Sequence, residues 1–454
     1  MMQKPFDALT YDQWLELAHR ETKGADPATL AWQLEGEISV PAYHTHEQRE
    51  RWAYLDALHT YAPPAGWVYR EEIEVENVAT ARAHTDEALT GGAEALSYAF
   101  GADVELPRLL AGRNLRNTLV TYRTDAVGGL LRYLRQYHPS LSAVKGTVHF
   151  DPLTGWLTRG ADPDDDWTGP RAQLIELFKT FDTAVRFFPV TVGLDHYADA
   201  GATAPQQLAW GLAQALQYVE WLTAAGVPAN ECFRRVEFSV SVGSSYLVEV
   251  AKLRALRWLW LKMAEAWGVP AGEVRWSAHA RTARWSYGRR DPYANLLRHT
   301  TQAMAAVLGG ATALTIDPHV VEAPDGGVTA RRLARNVSTL MREEAYLARV
   351  ADPLAGAYSV EFITDALVRR TWDRLRQVQA AGGWRTVAES GVLLDDLARA
   401  RQARMEALQR REKTMVGINT PADAQKGEGG TPPAARWPDA WPAPTAEQMA
   451  ALKS

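Results

Sequence analysis

The chain has 454 residues, 46% of them hydrophobic and 23% charged, with a formal net charge of −5. That length fits one β/α barrel of about 250–400 residues with terminal additions, and the mild negative charge gives no electrostatic reason to expect nucleic acid or an anionic membrane as partner. A single cysteine, Cys232, excludes an intrachain disulfide and any multi-cysteine metal site, and fits a reducing compartment.

The N-terminal stretch MMQKPFDALTYDQW carries an early acidic residue and no apolar signal core, so the expected location is cytoplasmic. No run approaches the roughly 18 consecutive apolar residues of a membrane span. Residues 1–50 read as an arm: a short amphipathic helix near Tyr11–Thr22, then an extended piece, Leu30–Tyr43. His44 and His46 alternate as on one face of a strand, without a third metal ligand nearby. From Trp67 a weak alternation of strands and helices begins. Strands are expected at Asn117–Tyr122, Ala143–His149, Ala184–Gly193, Val236–Val242, Val274–Ala280 and Ala311–Ile316.

The helices between them are clearer. Pro205–Ala225 carries a stripe of Leu208, Leu212, Leu216, Val219 and Leu222. Glu249–Trp267 repeats the pattern before Gly268 and Pro270. Asp291-Pro292 is a helix start, since the carboxylate caps free N–H groups and proline at the first position forfeits no needed donor. That helix runs to Leu308 and stops at Gly309-Gly310. Strand, helix, strand, helix, strand from Val236 to Leu314 means parallel βαβ units. A further helix spans Thr329–Glu344, Ala351–Gly356 is a loop, and a charged helical stretch runs from Phe362 to about Lys413. Gly417–Pro444 is a Pro/Gly/Ala-rich tail. The expected architecture is a (β/α)8 TIM barrel over residues 51–375, with C-terminal helices and tail over 376–454.

In such a barrel the C-terminal ends of the strands form the functional mouth. His149, His196 and His279 are expected there, with His196 alone as a general acid, hydrogen-bond donor or ligand anchor and a buried structural histidine as the alternative for each. No carboxylate recurs with them at metal-ligand spacing. No Gly-x-Gly-x-x-Gly, Walker loop or nucleophile elbow occurs. Asp317-Pro318-His319 has Glu322 where a cobalamin-binding Asp-x-His-x-x-Gly needs glycine.

Six segments stand in order: AGATAPQQLAWGLAQALQYVEWL (200–222), VEVAKLRALRWLW (248–260), RWSYGRRDPYANLLRHTTQAMAAVLGG (284–310), RRLARN (331–336), REEAYLARVADPLAGAYSVE (342–361) and VGIN (416–419). Together they resemble the barrel domain of the methylmalonyl-CoA mutase family, over roughly residues 100–420. QWLELAHRETKG and WVYREEIEV resemble the small subunit of its heterodimeric members. The resemblance implies a barrel that threads acyl-CoA along its axis under a flavodoxin-like cobalamin domain, where an adenosyl radical starts migration of the carbonyl-CoA group.

The family's polar contacts are largely replaced. Gly-Thr-Ile-Gln-Asn-Asp stands here as Gly146 through Asp151, with His149 in place of the substrate-contacting glutamine. Asn-Ser-Ile-Ser-Ile-Ser-Gly-Tyr-His stands as Phe188 through His196, keeping only the catalytic histidine position, His196. The His-Thr-Asn-Ser-Phe-Asp loop is Thr315 through Val320, Gln-Thr-Ser-Gly-Trp-Ser is Arg281 through Ser286, and Thr-x-Arg-x-Tyr-x-Gly is missing near Val68–Glu76. Thr282, Ser286, Asn295 and Arg335 remain as weak acyl-CoA-binding candidates. Only 35 residues follow VGIN, too few for a flavodoxin-like domain.

These departures point to a non-catalytic small subunit that binds no cofactor itself. It would pair with a catalytic subunit carrying adenosylcobalamin, its residues 1–50 laid across that partner. Two alternatives are an active barrel of a split acyl-CoA mutase, with cobalamin on a separate chain, and an unrelated barrel hydrolase using the three histidines with a metal.

Overall fold

The computed structural model describes residues 10–420, apart from residue 25 and segments 35–37, 114–117, 138–140, 162–165, 289–290 and 321–326. Most of the Pro/Gly-rich tail, the Arg289-Arg290 pair and Glu322 lie outside the described residues.

Eight parallel strands form the barrel: β1 (Val68–Glu74), β2 (Ala95–Ala99), β3 (Leu119–Arg123), β4 (Gly146–His149), β5 (Phe187–Phe188 and Val190–Gly193), β6 (Val236–Val242), β7 (Ala278–Thr282) and β8 (Ala313–Thr315). Each pairs with its neighbour in chain order, and β8 pairs with β1. Pro189 lacks an N–H and splits β5 into halves, the first bonded to β4 and the second to β6. The sheet therefore closes on itself, and the fold is a (β/α)8 TIM barrel.

The long helices follow their sequence signals closely. The Ala204–Ala224 helix starts in a capping box, where Gln206 Oε1 accepts from the Thr203 N–H at 2.8 Å. Asp291 caps the Pro292–Leu308 helix by accepting from the Ala294 N–H at 3.1 Å. The Tyr246–Ala266 helix is buried nearly all round, because the Tyr358–Ala380 helix lies across it and across Ala204–Ala224. That outer helix runs through residue 375 to Ala380.

Three expectations need correction. β1 and β2 were absent from the strands read from the sequence, because Arg70, Glu71 and Glu72 interrupt the apolar pattern of β1. β7 begins at Ala278 rather than Val274, since Ala271–Glu273 forms a 3₁₀ turn before it. His44 and His46 share no strand: the hairpin pairs Trp32–Leu34 with Ile38–Val40, and His46 opens a 3₁₀ stretch to Asp56. His44 instead packs its ring against Trp52 and Phe362 at 5.9 and 5.0 Å.

Candidate functional site: a barrel interior filled with paired charges

Alternation along each strand sends every second side chain to the barrel axis. In β1 these are Arg70 and Glu72, while Glu71 points outward to His84 at 3.0 Å and Arg335 at 2.8 Å. Arg70 makes a bidentate pair with Glu237 of β6 at 2.9 and 3.0 Å. Both are almost fully buried, and Ser277 donates to the same carboxylate at 3.2 Å. This pair closes the lower barrel.

Above it, Thr315 Oγ1 bonds to His279 Nε2 at 2.8 Å and donates to the Arg70 carbonyl, also at 2.8 Å. His279 therefore lies within the barrel, below the mouth where the sequence placed it. Its strand register explains this, because it is only the second residue of β7.

The upper layer is denser. Glu72 meets Arg123, Arg281 at 3.5 Å and Arg284 at 3.0 Å. Asp317 meets Arg284 at 3.2 Å and Arg281 at 3.6 Å, and Asp195 meets Arg281 at 3.8 Å and accepts from Ser239 at 3.0 Å. Burial alone would raise Asp195, but His196, His149, Arg281 and Arg123 outweigh it and hold the carboxyl at about 2. Burial and then Arg123 press His149 down to about 3. Burial lowers Arg123 to about 10, with Arg281 adding repulsion. Asp199, beside this layer, is pushed up by burial to about 6 against the pull of Arg281.

His149 and His196 do come together at the mouth, their rings 6.4 Å apart and edge to face. The four weaker candidates do not join them. Thr282 Oγ1 accepts from the Asp317 N–H at 3.0 Å, and Ser286 accepts from Gln302 and donates to the Ala283 carbonyl. Asn295 holds the Gly288 N–H and carbonyl at 2.9 and 2.7 Å, while Arg335 is shared between Glu71 and Glu87. All four are buried, and these bonds tie loops and helices to the barrel. Among the described residues, no group of three or more His, Cys, Asp or Glu side chains is arranged to hold a metal.

Sequence reasoning missed the charged layers. The signal was present: Arg70 with Glu72, and His279 with Arg281, are spaced i, i+2 and so must share one face of a strand. In a closed barrel that face is the axis. Asp151 was quoted only as part of a motif, yet it anchors the β4–β5 region. It accepts from the Gly193 N–H at 2.8 Å and from Tyr218 and Gln214 at 2.5 Å, and burial keeps its pKa raised despite these bonds.

Fold and site together define a (β/α)8 barrel whose axis carries buried ion pairs alongside small polar side chains such as Thr147, Thr191, Ser239 and Thr315. The methylmalonyl-CoA mutase family profile matches residues 131–453, and the chain belongs to that family. The methylmalonyl-CoA mutase small subunit of Porphyromonas gingivalis is 25% identical over 91% of this chain and 70% of its own length. That of Streptomyces virginiae is 35% identical over 64% of this chain and 46% of its own, and the methylmalonyl-CoA mutase of Cereibacter sphaeroides is 27% identical over 90% and 64%. The chain thus spans 46% to 70% of the length of these relatives. Among solved structures, Xanthomonas albilineans dihydropteroate synthase aligns over 62% of this chain and 93% of its own at 14% identity and a TM-score of 0.33. No helix among the described residues is long and apolar enough to cross a membrane.

Proposed function

We propose that this chain is the small, non-catalytic subunit of a heteromeric methylmalonyl-CoA mutase, and that it stabilises a catalytic partner carrying adenosylcobalamin. The observation that carries this reading is the filled barrel axis. Acyl-CoA threaded through it would have to displace the Arg70–Glu237 pair and the Glu72–Arg123–Arg281 layer. Removing one member of a buried pair leaves an uncompensated charge, at a cost of about 3–5 kcal/mol.

The mouth does not fit a resident cobalamin either. It holds Arg281 and Arg284 paired with Glu72 and Asp317 beside His149 and His196, whereas the broad face of a corrin needs an open, largely apolar seat. The partner supplies radical chemistry in this reading, and this barrel supplies packing surface. The names of the small-subunit relatives support the existence of a partner, and the buried Cys232 thiol fits a cytoplasmic setting.

Turnover of methylmalonyl-CoA measured with the chain alone, with the cobalamin-loaded partner, and with a His196→Ala chain plus partner tests the proposal. Turnover is expected only with the partner and unchanged by His196→Ala. Turnover abolished by that substitution in a folded complex would place the active site in this barrel and favour the split-mutase reading.

A further inference from the structure

Away from the barrel axis, the Ala204–Ala224, Tyr246–Ala266 and Tyr358–Ala380 helices enclose a groove of about 640 Å³ on the outer surface. Leu216, Met263 and Leu375 form its buried bed. Trp267 and Trp372 line it as well, and they are 37% and 39% exposed. Apolar side chains scattered singly over a surface are ordinary, but two tryptophans lining one apolar groove mark a place for a ligand or a chain. Asp373 and Arg376, both exposed, put one charge of each sign on its rim.

The chain itself carries a segment of matching character. Residues 431–445, TPPAARWPDAWPAPT, lie outside the described residues and repeat with a period of three. Pro432, Pro438, Trp441 and Pro444 share one register, Trp437 and three alanines share the next, and Arg436 and Asp439 fall in the third. A polyproline II helix has three residues per turn, so this spacing gives two apolar ridges and one charged ridge. Aromatic-lined grooves take such segments because proline has already restricted the backbone and little entropy is lost on docking.

Reach is sufficient. The described chain ends at Thr420, near where Arg298 of the Pro292–Leu308 helix donates to the Val416 carbonyl at 2.9 Å. That helix packs along Tyr246–Ala266, whose 21 residues span about 30 Å and end at the groove. Residues 421–432, fully extended, cover about 40 Å, so Pro432 can arrive at the groove's edge.

We propose that residues 431–445 dock in this groove as a polyproline II segment of the same chain. The proline and tryptophan ridges would cover Trp267, Trp372 and the apolar bed, and Arg436 and Asp439 would face Asp373 and Arg376. The inference does not depend on the subunit reading.

Disulfide trapping in the full chain tests it, with the buried Cys232 thiol kept out of exchange. Gln379→Cys/Ala440→Cys joins the groove to the segment, while Ala83→Cys/Ala440→Cys joins the segment to an exposed position on the Val78–Thr90 helix across the barrel. Equilibration in a glutathione buffer gives the effective concentration of each pair. The 379–440 value is expected to exceed the 83–440 value at least tenfold, and to fall to it when Trp441→Ala is added. That substitution removes no side chain of the barrel, so its effect reads docking rather than folding. Equal effective concentrations for the two pairs, or a 379–440 disulfide formed only between two chains, would overturn the proposal.

Discussion

His299 shows at the scale of one residue how the site's surroundings are linked to pH. It sits inside the Pro292–Leu308 helix with Nδ1 bonded to the Asp317 carbonyl at 2.9 Å, and its buried Nε2 has no hydrogen-bond partner among the described residues. Burial lowers the imidazole to about 4, against an opposing pull from Asp317. In the unfolded chain the ring takes up its proton near its ordinary value of 6.5. Native stability from this residue is therefore complete above pH 6.5 and is lost progressively as pH falls toward 4, at about 1.4 kcal/mol per pH unit for one proton. Asparagine at this position can keep the donor to the Asp317 carbonyl and cannot titrate. His299→Asn should lower stability at neutral pH but flatten its dependence between pH 6.5 and 4 by about one proton, read from urea denaturation at several pH values. An unchanged slope would mean that other groups carry the acid sensitivity of this region.

Among the elements, β4 makes the sharpest demand on sequence. Gly146 opens it with φ +131° directly opposite Val120 of β3, and a Cβ there would lie 1.9 Å from the Val120 carbonyl oxygen. Gly146→Ala combines a conformation that L-residues avoid with a clash against backbone, and should cost more than about 3 kcal/mol in a denaturation experiment. Gly92→Ala is the control: φ is +94°, but nothing lies within 4 Å of the added carbon, so about 1 kcal/mol is expected. Equal losses would mean that the strand pair adjusts to the clash. Sequence signals were strongest where one rule governed an element. Val236–Val242 was legible to the residue because its Val236, Phe238, Val240 and Val242 alternate onto one buried face, and Pro292–Leu308 because proline, aspartate and two glycines mark its ends. β1 was illegible for the opposite reason: its axis-facing Arg70 and Glu72 find partners on β6, β3 and β7, far away in the chain. Local pattern cannot reveal a charge neutralised from across a barrel. The same limit hid the candidate site, where the pairing of His149 with His196 was legible and the ion pairs were not.

For the whole molecule, the N-terminal arm is the part that its own chain explains least. The Tyr11–Glu21 helix has a full capping box at Thr10, yet buries none of its residues, and Leu17 is 38% exposed. It touches the rest of the chain through Trp14 stacked on Tyr43 at 5.4 Å and the Tyr11 N–H donating to Glu47. Isolated helices of about 12 residues are marginal in water, so packing must supply the difference. The segments after it are anchored differently: Ile38 and Val40 are core residues, and Tyr54 donates to Asp365 of the Tyr358–Ala380 helix at 2.7 Å. The arm thus divides into an anchored root and a helix whose apolar side is only half covered by the described residues. On the subunit reading that side lies on the catalytic partner, continuing the packing of the outer helix. Truncating the chain before residue 25 should then leave its own unfolding free energy within about 0.5 kcal/mol, because none of the described residues removed is buried. The same truncation should weaken the complex at least tenfold, about 1.4 kcal/mol, chiefly through faster dissociation. Surface-binding kinetics with the partner immobilised would measure both rates. Undiminished affinity, with the truncated chain still folded, would move the interface away from the arm and onto the barrel's own helices.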